Sequence, residues 1–467
     1  MSEILFRYER VEPTSWAYLS ALLMIALFFK FNRIFSVRNL DLMILLLLSP
    51  GLLCVKWGQE NIPSGVQNPV EYVGYIWLFA VSGVLLVRSL WDSGMVRRPL
   101  LEPNMNASGM SFLAATLFLF LMANVLAGDP DATDLESAQR AQHLSQAEAS
   151  GVEQQSLDAR GPGFTMFYLL PEIISSRLMG EHAGRVVDAP ATPLAQPEGQ
   201  SIGAGGVEEG VATPPAADVE QFTSGAVVTA KVAVIISQFM IVLGMIFVGL
   251  WHFENITLGI AAATLYLLLP YTAMWTGSGT HALPGALLVW AVVNYRRPMM
   301  AGALMGFLAF GTTYYPVFLL PLWFSFYWRR GKWRLLIGIG IAMAVLILTQ
   351  IFTTLDFEMF LERMRQMFGI RWPRHDFKGG IWLYWNGYYR YPVLAAFLGL
   401  SVLAMPLWPA EKNLGTLLSC SAALMIAVQF WDVHSSGVAL GWYLPLLLLT
   451  IFRPNLEDRV PQNFVRA

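Results

Sequence analysis

Charge is scarce in this chain. Of 467 residues only 13% are Asp, Glu, Lys or Arg, about half the share of an ordinary globular domain. Thirty basic residues against 32 acidic ones leave a net charge of −2. So low a charge density excludes a disordered protein and a soluble enzyme of usual composition, and without a basic excess no nucleic-acid partner is expected. Cysteine is nearly absent: Cys54 and Cys420 both lie inside apolar runs, which rules out a disulfide framework and reads as two small buried hydrophobes. No glycine-rich phosphate loop, paired-cysteine metal motif, HExxH or GxSxG occurs. ATPase, zinc-protease and α/β-hydrolase chemistry therefore have no anchor. A cleavable leader is not expected either. Residues 1–13 carry three Glu and two Arg, and no small-residue cleavage motif follows the first apolar run, which reads as a retained span.

What is present is apolar. Hydrophobic residues make up 55% of the chain, and the mean hydropathy is +0.51. A bilayer core about 30 Å thick needs roughly 20 apolar residues per helix. Spans are predicted at 14–31, 40–56, 71–91, 109–127, 227–251, 256–276, 281–295, 333–353, 391–408, 413–431 and 437–453. Helices are required, because each backbone group needs a partner within its own segment. Positive residues set the orientation: Lys30, Arg33, Arg38, Arg88, Arg97, Arg98, Arg296, Arg297, Arg329, Arg330, Lys332 and Arg334 fall on one face, read as cytoplasmic. The 454–467 tail shares that face, and the N-terminus falls outside. The stretch 298–328 is too long for one span and short for two, has basic clusters at both ends, and is interrupted by Thr312, Thr313 and Pro316. It reads as a hairpin of two short helices entering and leaving on the cytoplasmic side, its tip facing a cavity.

Two segments fall outside. The 128–226 insertion holds fifteen Asp or Glu and four Arg, net −11, leaving about +9 for the rest. Acids cluster at 129–134; 135–157 reads as a solvated helix, 188–220 as disordered linker, and GFTMFYLLPEIISSRLM at 163–179 as an interfacial helix. The 354–390 segment opens with an amphipathic helix bearing Phe357, Phe360, Leu361, Met364 and Phe368. RWPRHDFKGGIWLYWNGYYRY follows, interleaving Arg371, Arg374, Lys378, Arg390 and His375 with Trp and Tyr. Such aromatics favour the headgroup layer, and the guanidinium groups can also grip phosphate bidentately.

The central region carries a resemblance. LGIAAATLYLLLPYTAMWTGSGTHALPGALLVWAVVNYRRPMMAGALMGFLAFGTTYYPVFLLPLWFSFYWRRGKWR has a helix ending in LLPY, a small-residue outer loop, a basic turn, an AG-x-x-x-G helix start, a Tyr-Pro near the next break and a closing basic cluster. It resembles the middle of the GT-C superfamily of polytopic glycosyltransferases, which includes the protein O-mannosyltransferases. By that resemblance the family's first acidic outer loop matches AGDPDATD at 127–134. Its His-Pro-Pro-Leu-Tyr-Tyr segment matches RGPGFTMFYLLPEI at 160–173, with Gly161-Pro162-Gly163 in place of His-Pro-Pro. The basic residue often found near the family's hairpin break is replaced by Thr312, Thr313, Tyr314 and Tyr315. Residues 1–104 then form an N-terminal three-span extension, and 105–453 a GT-C-like core.

The implied reaction transfers a sugar from a polyprenyl-phosphate donor to an acceptor lipid, glycan or protein on the outer face of a bacterial-type inner membrane. A carboxylate near the acceptor can take its proton or hold it in line, and cationic groups or a divalent cation must stabilise the leaving phosphate. Asp129 or Asp131 is expected to be the base: Asp129 lies nearest the membrane, and Asp131 follows Pro130. Asp134, His281, Tyr314, Tyr315, Arg371, Arg374, His375 and Lys378 are the expected substrate contacts. Asp432 with His434, and Glu60 or Glu71, are further outer-face candidates. The sequence thus predicts an all-α polytopic membrane protein of about eleven full spans plus one hairpin. The rival reading is a non-catalytic transporter or lipid-handling or structural protein of the same fold. The lack of an internal repeat and of mid-helix charge speaks against ion-coupled transport.

Overall fold

A computed structural model describes residues 11–61, 67–94, 102–145, 161–179, 186–188, 221–353, 357–367, 379–409, 412–433, 437–454 and 456. They are almost wholly helical. In chain order come α1 (Pro13–Phe28), α2 (Val37–Asn61), α3 (Pro69–Trp91), α4 (Ala107–Ala127), α5 (Ala132–Ser145) and α6 (Gly163–Met179). A two-stranded antiparallel ribbon, β1 (Val186–Asp188) and β2 (Gln221–Thr223), closes the acidic insertion. Then follow α7 (Ser224–Trp251), α8 (Ile256–Leu268), α9 (Pro270–Trp275), α10 (Gly279–Val293), α11 (Pro298–Phe307), α12 (Leu320–Phe326), α13 (Lys332–Thr353) and α14 (Phe357–Met367). The chain ends with α15 (Arg390–Leu398), α16 (Met405–Leu407), α17 (Leu414–Val428) and α18 (Leu444–Phe452). Asn68, Asn106, Thr223, Asn255 and Asn413 each start a helix by accepting a hydrogen bond from an N–H of its first turn.

Among the described residues six stretches are long and apolar enough to cross a membrane, and they mark the chain as a membrane-spanning protein: α2, α3, α4, α7, Lys332–Ile351 and Gly387–Leu407. The other expected spans are shorter helices. The 256–276 run is broken because Pro270 holds Leu269 at an extended ψ of 133° and so ends α8. In the 437–453 run only α18 is α-helical; Gly437 turns the chain at φ 90° and Leu440–Trp442 forms a single 3₁₀ turn. Every residue of α17 and α18 is buried, which puts this pair at the centre of the bundle. The predicted solvated helix also differs: α5 starts at Ala132 and buries Asp134, Leu135, Ala138 and Ala141 against α6 and α7.

Side-chain bonds group the turns at two ends. At the basic end, Asn39 is fully buried and ties residues 30–39 into one knot, accepting from Lys30 N–H and donating to the carbonyls of Lys30, Arg33 and Ile34. Lys30 and Arg38 hold Asn104 and the Glu102 carbonyl. Arg88 pairs bidentately with Asp41 (2.7 and 2.9 Å) and reaches Asp92 (2.9 Å), which in turn takes Arg453 (2.7 Å). Two cations thus match two carboxylates and join α2, α3 and the end of α18.

The 298–328 stretch is a hairpin. Its first arm runs through α11 and a π turn to Thr312; at 1.5 Å per residue that is about 22 Å. Thr313 is extended, and the chain returns through Tyr315–Leu319 and α12. Both feet meet: the Tyr327 hydroxyl donates to the Tyr295 carbonyl, and Gly331 lies against Pro298. A single kinked helix would hold these residues far apart. Gly302 and Gly338 bring the backbones of α11 and α13 into contact, so helix packing accounts for the AG-x-x-x-G segment. Trp323 donates to Ser421 Oγ, fixing the returning arm to α17.

Candidate functional site at the far end

The hairpin tip is covered by the segment that opens α6. Gly161 N–H donates to the Thr312 carbonyl at 2.6 Å. A Cβ on Gly161 would stand 2.5 Å from the Gly311 carbonyl oxygen, and one on Gly163 2.7 Å from it. Only glycine permits this approach, which gives Gly161-Pro162-Gly163 a physical reason. The segment launches α6 directly from the tip.

Asp134 enters next. It is fully buried, and its Oδ2 accepts from Gly279 N–H at 2.7 Å, capping α10 from a helix 145 residues earlier. Its charge faces the positive end of that helix. The Tyr168 hydroxyl of α6 lies beside the same glycine. Two residues along, half-buried His281 stacks on Trp275 at 5.0 Å and shares a 2.5 Å hydrogen bond with the Tyr271 hydroxyl. That hydroxyl also accepts from Gly441 N–H at 2.7 Å.

Trp442 links this cluster to the tip. Its Nε1 donates to the Thr280 carbonyl at 3.2 Å, and its ring lies 5.0 Å from that of Tyr315. Tyr315 donates its hydroxyl hydrogen bond to Asp432, a fully buried carboxylate. Tyr314 and Trp431 wall the pair, with Trp431 5.4 Å from Tyr315. Arg390 donates to the Trp431 carbonyl at 2.8 Å and lies 6.0 Å from its ring. Thr313 Oγ1 and Trp431 Nε1 are buried here without a hydrogen-bond partner among the described residues. Such groups carry a desolvation cost that a hydroxyl-bearing ligand would relieve.

A second aromatic group borders the site. The Tyr384 hydroxyl binds Glu71 at 3.0 Å and the backbone of Asn68, and Tyr72 stacks on the Tyr384 ring at 4.8 Å. Burial and the Glu71 carboxylate raise the Tyr384 hydroxyl above its ordinary pKa, against the Asn68 hydrogen bond.

The expected residues therefore separate. Asp134, His281, Tyr314 and Tyr315 gather at the far end. Asp134 is committed to α10, and Tyr315 to Asp432. Asp129 and Asp131 are exposed on the loop entering α5, a few residues from Asp134. Glu60 pairs with Lys56 at 3.8 Å, one turn along α2. Arg371, Arg374, His375, Lys378 and His434, like the 188–220 linker apart from Asp188 in β1, lie outside the described residues. Tyr168 and Trp442 carry no signal in the sequence, and Tyr271 stands there only as the end of LLPY, because each finds its partners through distant contacts. Among the described residues no three His, Cys, Asp or Glu side chains gather as a metal site. No family model matches the chain, and no curated protein or solved structure matches it.

Proposed function

We propose that this chain is a membrane glycosyltransferase that moves a sugar from a polyprenyl-phosphate donor to an acceptor on the outer face. The observation that carries the reading is the hairpin whose tip, Gly311–Tyr315, lies beneath the Gly161–Gly163 clasp and beside a buried carboxylate, aromatic rings and Arg390. In this reading the far end is the outer face, and the eleven apolar runs are the crossings of a GT-C-like core with its N-terminal extension. The acidic loop then stands outside, with the C-terminus inside.

The residues divide the work. Asp129 or Asp131, open to solvent, takes the proton from the acceptor hydroxyl. The acceptor oxygen bonds to the anomeric carbon as the bond from that carbon to the phosphate oxygen breaks, and polyprenyl phosphate leaves. The configuration inverts. Arg390 at the tip, with Arg371, Arg374 and Lys378 on the same loop, offsets the charge on the leaving phosphate. Tyr314 and Trp431 present ring faces to the sugar. Asp134 works at one remove, by holding the acidic loop to α10.

The test uses purified protein in lipid nanodiscs with a panel of radiolabelled polyprenyl-phosphate sugars. Transfer that falls at least about a hundredfold in an Asp129→Asn/Asp131→Asn double variant is expected. Full transfer by that variant overturns the assignment of the base. Absence of transfer or donor hydrolysis across the panel favours the non-catalytic reading of the same fold.

A further inference from the structure

A separate concavity lies at the basic end. Near Gly51 and Gly74 the helices α2 and α3 pack closely, with Gly51 against Leu78 and Gly74 against Val55. Toward Val37 and Arg88 they part. The gap is an open groove of about 530 Å³. Its walls are Val37, Leu40 and Ile44 on one side and Ala80, Val84 and Val87 on the other, with Gly83 between. Only the Asp41–Arg88 pair bridges it, and that pair is neutral as a unit.

An apolar groove at membrane depth cannot stay empty, because its walls would lose their dispersion contacts, and water finds no partners on such walls. The surrounding bilayer supplies acyl chains. The chemistry at the groove's mouth selects the headgroup. Arg33 is exposed in the turn that Asn39 knots. Arg38 follows Val37, gives one N–H to the Glu102 carbonyl, and keeps a buried Nε with no hydrogen-bond partner. Among the described residues Glu102 is the carboxylate that acts on Arg38, so the turn carrying Arg33 and Arg38, next to the groove's Val37, holds more cations than acids.

We infer that this groove binds one anionic phospholipid, an acyl chain lying between α2 and α3 and the phosphate beside Arg33 and Arg38. The site depends on the chain spanning a membrane and is independent of the transferase reading.

Gly83 offers a clean probe. Gly83 lines the groove, and an added Cβ there meets nothing closer than the Phe430 ring at 4.0 Å, so a larger side chain has room to enter. The experiment is lipid counting by native mass spectrometry on the full chain, extracted from vesicles of equal phosphatidylglycerol and phosphatidylcholine. Wild type should keep about one phospholipid per chain, and Gly83→Leu should lower that occupancy roughly tenfold. Arg33→Gln and Arg38→Gln should each lower the preference for phosphatidylglycerol about fivefold while a chain is still retained. Val87→Trp, on the exposed rim, serves as a second filler should Gly83→Leu misfold. Equal retention by wild type and a folded filler variant overturns the site. So does wild type that keeps no phospholipid, or cross-linking of Gly83→Cys to a second copy.

Discussion

The two ends of the bundle handle buried charge in opposite ways. At the basic end, Asp41, Arg88, Asp92 and Arg453 pair with one another, two cations against two carboxylates. At the far end, the buried carboxylates of Asp134 and Asp432 are answered by a backbone N–H and a phenol. The first arrangement joins helices. The second sets carboxylates, aromatic faces and the buried Thr313 and Trp431 donors around a break in the backbone.

This contrast can be broken by substitution. Asp92→Ala should have the largest effect, since it leaves Arg88 and Arg453 without their shared partner. A loss of about 3–5 kcal/mol is expected, read by unfolding in detergent. Gly163→Leu comes next. Its side chain must displace either α6 or the hairpin tip, at about 1–3 kcal/mol. Hydrogen exchange should rise in α6 and at 308–315, while the basic end stays protected. Tyr315→Phe removes the phenol that serves Asp432 and should cost about 1–3 kcal/mol. Asp134→Ala should cost about 1 kcal/mol through the lost cap, and Asp134→Asn less, because the amide oxygen still accepts from Gly279. The Asp129→Asn/Asp131→Asn pair should leave stability unchanged, since both carboxylates are exposed. Were Asp129 and Asp131 to matter for folding while Asp134 did not, the division of labour along this loop would be reversed.

Much of the fold is legible in sequence because a long apolar run marks a helix that leaves water, whether for lipid or for the protein interior. The hairpin is legible for a further reason: basic residues flank both feet, and Thr312, Thr313 and Pro316 interrupt a stretch of the wrong length. Hydropathy does not report where a buried helix ends. The 256–276 and 437–453 runs are apolar throughout, yet each is broken, one by Pro270 and the other around Gly437. The proline signal was available, since a residue ahead of proline is pushed out of the helical region. The site is less legible. Asp134 reads as one acid in a solvated loop until Gly279 is placed beside it, and nothing local foretells that contact. Asp432 looked like a loop acid for the same reason. The glycines at 161 and 163 become intelligible only when the Gly311 carbonyl lies against them.

The most direct test of the central claim is where a donor lipid lands. Full-length protein in nanodiscs would be irradiated with a photoreactive polyprenyl phosphate, and the labelled peptides mapped by mass spectrometry. Labels are predicted at 129–134, 279–281, 311–318 and 379–391, and competed away by unlabelled polyprenyl phosphate. Labels confined to the basic end, around Arg88 and Arg453, would contradict the assignment of the far end as the site.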